Sequence, residues 1–170
     1  LALCQKHGLK AIAHCRAPVD QWPDGSACWG YRLWDEPPAK MFDDLAKKLA
    51  EVRKMRPGRL EDINLYPDYA KPHQLGVETY DEYVSLFLAT VDVDVLCMDH
   101  YPIFKPQQDS RHRYCKNLET MRKFSLQKGI PFWNYFNTMP FGPHTDPTEA
   151  QIRWQIYTSI AYGAKGVNYF

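Results

Sequence analysis

The chain has 170 residues, 45% of them hydrophobic, with 21 Lys and Arg against 20 Asp and Glu and a net charge of +1. That is enough apolar chain for one globular core, which excludes intrinsic disorder. The charge balance offers no basic field for nucleic acid and no cationic face for a membrane, and no run of eighteen apolar residues is present to span one.

Residues 1–10 read as the end of an amphipathic helix, not as a secretory signal. Short β-rich runs then recur at 9–15, 27–35, 62–67, 93–99, 131–136 and 166–170. They are brief and apolar, as strands covered on both faces are. Between the first two, residues 16–26 are punctuated by Pro and Gly and are barely long enough for a crossover containing a helix. Pro38 lies in the first turn of a helix with Met41, Phe42, Leu45, Leu49 and Val52 on one face, ending before Pro57-Gly58. Thr79 and Glu82 form a capping box ahead of Val84, Phe87, Leu88 and Val91. Leu118, Met121 and Phe124 line a third helix, closed by Gly129. Asp146-Pro147-Thr148-Glu149 starts a fourth, with Pro147 at its first position and Glu149 at its third. That helix carries Ile152, Ile156 and Ile160 to a stop at Gly163.

Strand–helix units of roughly 30–35 residues imply an α/β fold with a parallel sheet and right-handed crossovers. A complete eight-stranded barrel typically needs about 250 residues. The expectation is therefore an incomplete portion of a TIM-barrel-like parallel (β/α) barrel. Residues 1–170 form its single catalytic domain, truncated at both ends. The five cysteines are irregularly spaced with no CxxC pair, which argues against a zinc ribbon or a thioredoxin-like site. Cys97, inside an apolar run, reads as a small buried hydrophobe.

In parallel α/β folds functional side chains lie just past the carboxyl ends of the strands. Those ends read His14-Cys15-Arg16, Trp34-Asp35-Glu36-Pro37, Asn64-Leu65-Tyr66-Pro67, Asp99-His100-Tyr101-Pro102 and Trp133-Asn134-Tyr135-Phe136-Asn137. Asp, Asn and Pro also favour loops and caps, so any one of these sites has a purely structural explanation. The concentration of aromatic and polar groups at four ends favours a binding pocket. Glu36 is the sharpest candidate: it sits between a strand and a proline-started helix, beside the Asp35 carboxylate and the Trp34 ring. Both neighbours disfavour its ionised form, and a raised pKa suits a general acid. The competing role is a cap for the following helix.

The order Gly30-Tyr31-Arg32-Leu33-Trp34-Asp35-Glu36-Pro37, Asn64-Leu65-Tyr66-Pro67, Asp99-His100-Tyr101-Pro102 and Ala161-Tyr162-Gly163-Ala164-Lys165-Gly166-Val167 resembles the β-galactosidase-like clan of barrel glycoside hydrolases. The likeness spans most of the chain, from about the third strand of that barrel to the start of the eighth. It implies that Glu36 is an acid/base residue ending the fourth strand. It also implies that Tyr101 is the sixth-strand aromatic near the nucleophile, and that a sugar-stacking aromatic lies near the seventh or eighth strand. Two positions depart from the clan. Asp35 replaces the usual Asn before the acid/base Glu, and residues 131–137 contain no carboxylate where the clan has its nucleophile.

The resulting expectation is a glycosidase that cleaves O-glycosidic bonds of a carbohydrate substrate with no cofactor and no metal. Its catalytic carboxyls are Glu36 and Asp99, separated by the wider spacing of inverting enzymes, about 6.5–9.5 Å. Its substrate-binding residues are Trp34, Asp35, Asn64, Tyr66, His100, Tyr101, Trp133, Asn134 and Asn137; of these, Trp34, Asn64, Tyr66, Tyr101, Trp133 and Asn137 open onto one face together with Glu36 and Asp99. Two alternatives stand beside it. One is a metal-dependent barrel hydrolase or isomerase using His14, Glu36, Asp99 and His100, although no HxH or HExxH spacing supports it. The other is a barrel that binds carbohydrate without cleaving it. His7, His73, His112 and His144 receive no role.

Overall fold

The computed structural model describes residues 1–105 and 111–170. Within them one sheet holds six strands in chain order, each parallel to its neighbours: β1 (Ala11–His14), β2 (Cys28–Asp35), β3 (Leu60–Leu65), β4 (Leu96–Asp99), β5 (Phe132–Phe136) and β6 (Gly166–Tyr169). Sequential parallel order requires every connection to return over the same face. The sheet curls as part of a (β/α) barrel with helices on its convex side. All six strands fall where the apolar runs place them.

The helices are α1 (Ala2–Lys6), α2 (Phe42–Met55), α3 (Pro72–Leu75), α4 (Tyr80–Thr90), α5 (Arg111–Lys128) and α6 (Glu149–Ala161). The apolar stripe of α2 buries Phe42, Leu45, Leu49 and Val52. Thr79 caps α4, its hydroxyl oxygen accepting the Glu82 amide at 3.2 Å. These helices and α5 meet Tyr31, Leu33, Ile63, Leu65, Leu96, Met98 and Phe132 from the outer face of the sheet in one core. Gly30 keeps β2 close to β3, since a Cβ there would fall 2.1 Å from the Leu60 carbonyl oxygen.

Two expectations change, both in the last helix, while the short crossover at 16–26 is as cramped as its length suggests. The last helix starts at Thr148, not Asp146, because Thr148 and Gln151 form a capping box: the hydroxyl accepts the Gln151 amide at 3.3 Å, and the Gln151 side chain accepts the Thr148 amide at 2.8 Å. The buried side chains of α6 are Gln155 and Ser159, and Ile160 is exposed. Residues 16–26 hold only a 3-10 turn, Val19–Gln21. Trp22 fills the space of a helix there, its ring 4.9 Å from that of Tyr31 and its indole N–H donating to the Ala17 carbonyl at 2.6 Å.

The strands are also not apolar on both faces. Residues alternating with the core set carry Arg32, Asp62 and Tyr135. Arg32 Nε and the Tyr135 hydroxyl both donate to Asp62 Oδ2, at 2.9 and 3.1 Å. Tyr135 on β5 reaches Asp62 on β3 across the intervening β4 because this face is concave. All five cysteines are free, and no helix among the described residues is long and apolar enough to cross a membrane.

Candidate active site

The pairing of β2 with β3 shifts between Arg32 and Trp34, and Asp35 then pairs with Asn64. The strand ends one residue before Glu36, whose φ of 50° makes it the only non-glycine residue with positive φ among the described residues. A left-handed L-residue costs about 1–2 kcal/mol, so its surroundings must hold it. Its amide donates to the Asn64 carbonyl at 2.7 Å, and the next carbonyl, of Pro37, accepts the hydroxyl of buried Tyr83 at 2.6 Å. Anchors from β3 and α4 thus fix the turn on both sides of the carboxyl-bearing residue.

Half-buried Glu36 has its pKa raised by burial and then by the Asp35 carboxylate. Asp35 Oδ1 accepts the Asn64 side-chain amide at 3.0 Å and lies 3.6 Å from the Arg32 guanidinium. Asp99, the last residue of β4, is 6% exposed. Burial and then the charge of Glu36 push its pKa up to about 7, against hydrogen bonds from the Asn64 and Tyr101 side chains. Asp99 Oδ1 and Asn64 Oδ1 are buried with no partner among the described residues. Burial raises the phenols of Tyr66, Tyr69 and Tyr101, and carboxylates of this cluster push each of them further up. At neutral pH these phenols are neutral donors around two carboxyls that share a tendency to hold protons.

Of the residues singled out from sequence, Asp35, Glu36, Asn64, Tyr66, Asp99 and Tyr101 come together. Trp34, 42% exposed, lies at the same end but lines a separate cavity toward β1. The others go elsewhere, for reasons of strand geometry. His100 follows inward-facing Asp99, so it points outward into the helix layer, where Nδ1 lies 2.9 Å from Asn117 Oδ1 and burial lowers its pKa to about 4. Asn134, between Trp133 and Tyr135, also turns outward and donates to Tyr114 and Ser159 at 2.7 and 3.1 Å. Trp133 faces the concave side at the wrong end, 5.9 Å from the Trp29 ring and against Gly166 at the start of β6. Asn137 is fully buried, bonding the Ile103 carbonyl at 3.5 Å while its own carbonyl accepts from Gln155 at 3.1 Å. With His100 turned away and His14 on the lateral cavity, the quartet suggested for a metal does not converge. No group of three or more His, Cys, Asp or Glu residues among the described residues is arranged to hold one.

Sequence reasoning missed Tyr69, three residues beyond Tyr66 in the loop after β3, and the anchoring Tyr83. It also missed an aromatic wall in which the Tyr101 ring lies 5.0 Å from Phe141, 5.7 Å from His144 and 5.2 Å from Phe170. The Phe141-Gly142-Pro143-His144 turn was the available signal, since two rings flanking a tight turn beyond a strand end suggest a pocket rim.

No protein-family model matches the chain, and no curated protein is similar to it by sequence. Solved structures are similar in fold. One is a Bacteroides thetaiotaomicron VPI-5482 protein whose assignment as an alpha-L-fucosidase is itself provisional. It is 10% identical at a TM-score of 0.59, over 85% of this chain and 49% of that one. A second is a hyperthermophilic endo-beta-1,4-glucanase solved in complex with substrate, 14% identical at a TM-score of 0.52, over 89% of this chain and 53% of that one. A D-psicose 3-epimerase follows at 16% identity over 83% of this chain and 52% of that one, with a looser TM-score of 0.45. The chain spans about half the length of these structures, and at such identities the likeness to the first two shows the barrel fold alone.

Proposed function

We propose that Glu36 and Asp99 are the acid–base pair of an O-glycoside hydrolase of the β-galactosidase-like clan, acting on a carbohydrate substrate, with Glu36 delivering the proton. The observation that carries this reading is the pair itself: two carboxyls with raised pKa at the carboxyl ends of β2 and β4, beside orphaned acceptors on Asp99 and Asn64. Sugar hydroxyls are donors of the kind those acceptors lack.

In this mechanism a hydroxyl donating to Asp99 Oδ1 lowers that carboxyl's pKa, while exclusion of water by the sugar raises that of half-exposed Glu36. The proton therefore rests on Glu36 in the complex. Glu36 gives it to the glycosidic oxygen as the bond to the anomeric carbon breaks. Water attacks that carbon from the opposite face and loses a proton to Asp99. The products are the free sugar and the alcohol, with the enzyme's proton moved from Glu36 to Asp99. Tyr66, Tyr69 and Tyr101 remain protonated and donate to hydroxyls.

One observation favours a second reading. In the free site Asp99 is pushed as high as about 7, which suits Asp99 as the acid and Glu36 as the base. Paired variants distinguish the two. With Glu36 as acid, Glu36→Gln loses about 10²–10⁴-fold on alkyl glycosides and much less on 4-nitrophenyl glycosides, while Asp99→Asn loses both. The opposite pattern exchanges the roles. Near-normal turnover in both variants removes the glycosidase assignment.

A further inference from the structure

Three carboxyls, Asp35, Glu36 and Asp99, stand at the carboxyl ends of β2 and β4, with Asn64 of β3 between them. The Asn64 side chain donates to Asp35 Oδ1 at 3.0 Å and also to Asp99. These two bonds fix the amide, since turning it over would set its oxygen against carboxylates. That oxygen is left over. Asn64 is 2% exposed and Asp99 6%, so Asn64 Oδ1 and Asp99 Oδ1 are buried acceptors on adjoining groups, without a partner among the described residues. Hydroxyls and ammonium groups both supply donors for such atoms, and charge separates the two. Arg32, on the same concave face, gives Nε to Asp62 at 2.9 Å and lies 3.6 Å from Asp35, so its charge is already matched. Among the described residues no cation bears on Glu36, which burial and Asp35 alone push up. The two unfilled acceptors thus face a site with an excess of negative charge.

We infer that the sugar bound here carries a free amine, as its ammonium, on the carbon next to the anomeric centre, so that the substrate class is a 2-amino-2-deoxy glycoside. The inference rests on the glycosidase reading above. In that reading Asp99 takes the proton of the water attacking the anomeric carbon, so a group donating to its Oδ1 stands beside that carbon. Of the two ring atoms bonded to the anomeric carbon, the oxygen carries no donor and C2 does. An ammonium offers three N–H bonds and no acceptor. One to Asp99 Oδ1 and one to Asn64 Oδ1 fill both orphans. Its charge also keeps Asp99 ionised, as the base must be.

Isothermal titration calorimetry tests this without turnover. The full chain is titrated with methyl 2-amino-2-deoxy glycosides of glucose, galactose and mannose configuration, each against its 2-hydroxy parent. In at least one configuration the amine should bind about tenfold or more tighter, because a charge-assisted bond replaces a neutral one. In Asp99→Asn, which keeps the shape and removes the charge, that ratio should fall toward one. Hydrolysis of the matching 4-nitrophenyl glycosides is followed alongside. A wild-type ratio near one in every configuration, no binding of either series, or a ratio that survives Asp99→Asn overturns the inference. If the neutral parents are then hydrolysed, the glycosidase reading stands without it. An amine preference lost in Asp99→Asn, with no glycoside of either series hydrolysed, overturns the glycosidase reading and leaves an ammonium-binding carboxylate site.

Discussion

Burying a carboxyl beside other carboxyls favours its protonated form, and Asp99 carries that cost on behalf of the site. Its folded pKa of about 7 lies above the ordinary aspartate value of 3.8. Between those values the folded chain holds a proton that the unfolded chain releases, so stability falls as pH rises through this window and is flat above it. Asp99→Asn keeps the shape and removes the titration. It should be little changed in stability near pH 4 and more stable than wild type at pH 8, by up to about 4 kcal/mol. Urea denaturation at the two pH values measures this. A gap that does not widen with pH would mean Asp99 is not held up by its surroundings. The activity profile carries the complementary signal. The alkaline limb of kcat/KM, which reports the free enzyme, should lie near pH 7, where the pair loses its last proton, and that of kcat higher, because exclusion of water by the sugar raises Glu36 further.

The turn after β2 links a single strained residue to two elements at once. Glu36 holds its φ of 50° because its amide is tied to β3 and the Pro37 carbonyl to Tyr83 of α4. Tyr83→Phe removes one anchor and leaves a buried carbonyl unpaired, at a cost of about 1–3 kcal/mol. If the anchor aims the carboxyl, kcat on alkyl glycosides should fall several-fold with KM nearly constant. Lost stability with intact kcat would reduce Tyr83 to packing. Elements of this kind are hard to read from sequence. The stripes of α2 and α4 were legible because apolar residues at helical spacing face an apolar core. Ile152, Ile156 and Ile160 gave the same signal on α6, yet the face toward the sheet carries Gln155 and Ser159, which satisfy Tyr114 and the Asn137 carbonyl. Composition marks an apolar stripe and cannot say which neighbour it meets.

At the scale of the whole molecule the barrel was legible, because six brief apolar runs alternating with amphipathic helices leave few other topologies. The site was legible in part. Choosing every polar or aromatic residue near a strand end disregards the two-residue alternation that sends Asp99 inward and His100 outward, and Tyr135 inward and Asn134 outward. The same geometry bears on stereochemistry. Strand β5 brings no carboxylate to the concave face: Asn134 is held by Tyr114 and Asn137 by Ile103. The proposed partners instead end β2 and β4, with β3 between them. Two inter-strand steps of about 4.8 Å set the backbones roughly 10 Å apart. Side chains converging from that distance reach the separation of about 6.5–9.5 Å that leaves room for a water, more readily than the 5–5.5 Å needed for direct attack. Hydrolysis should therefore invert the anomeric centre. Proton NMR of the first sugar released, taken before mutarotation, reads this directly from the anomeric coupling. A product with the anomeric configuration of the substrate would mean that the attacking carboxyl is not Asp99, and Asp99→Asn should then spare most turnover.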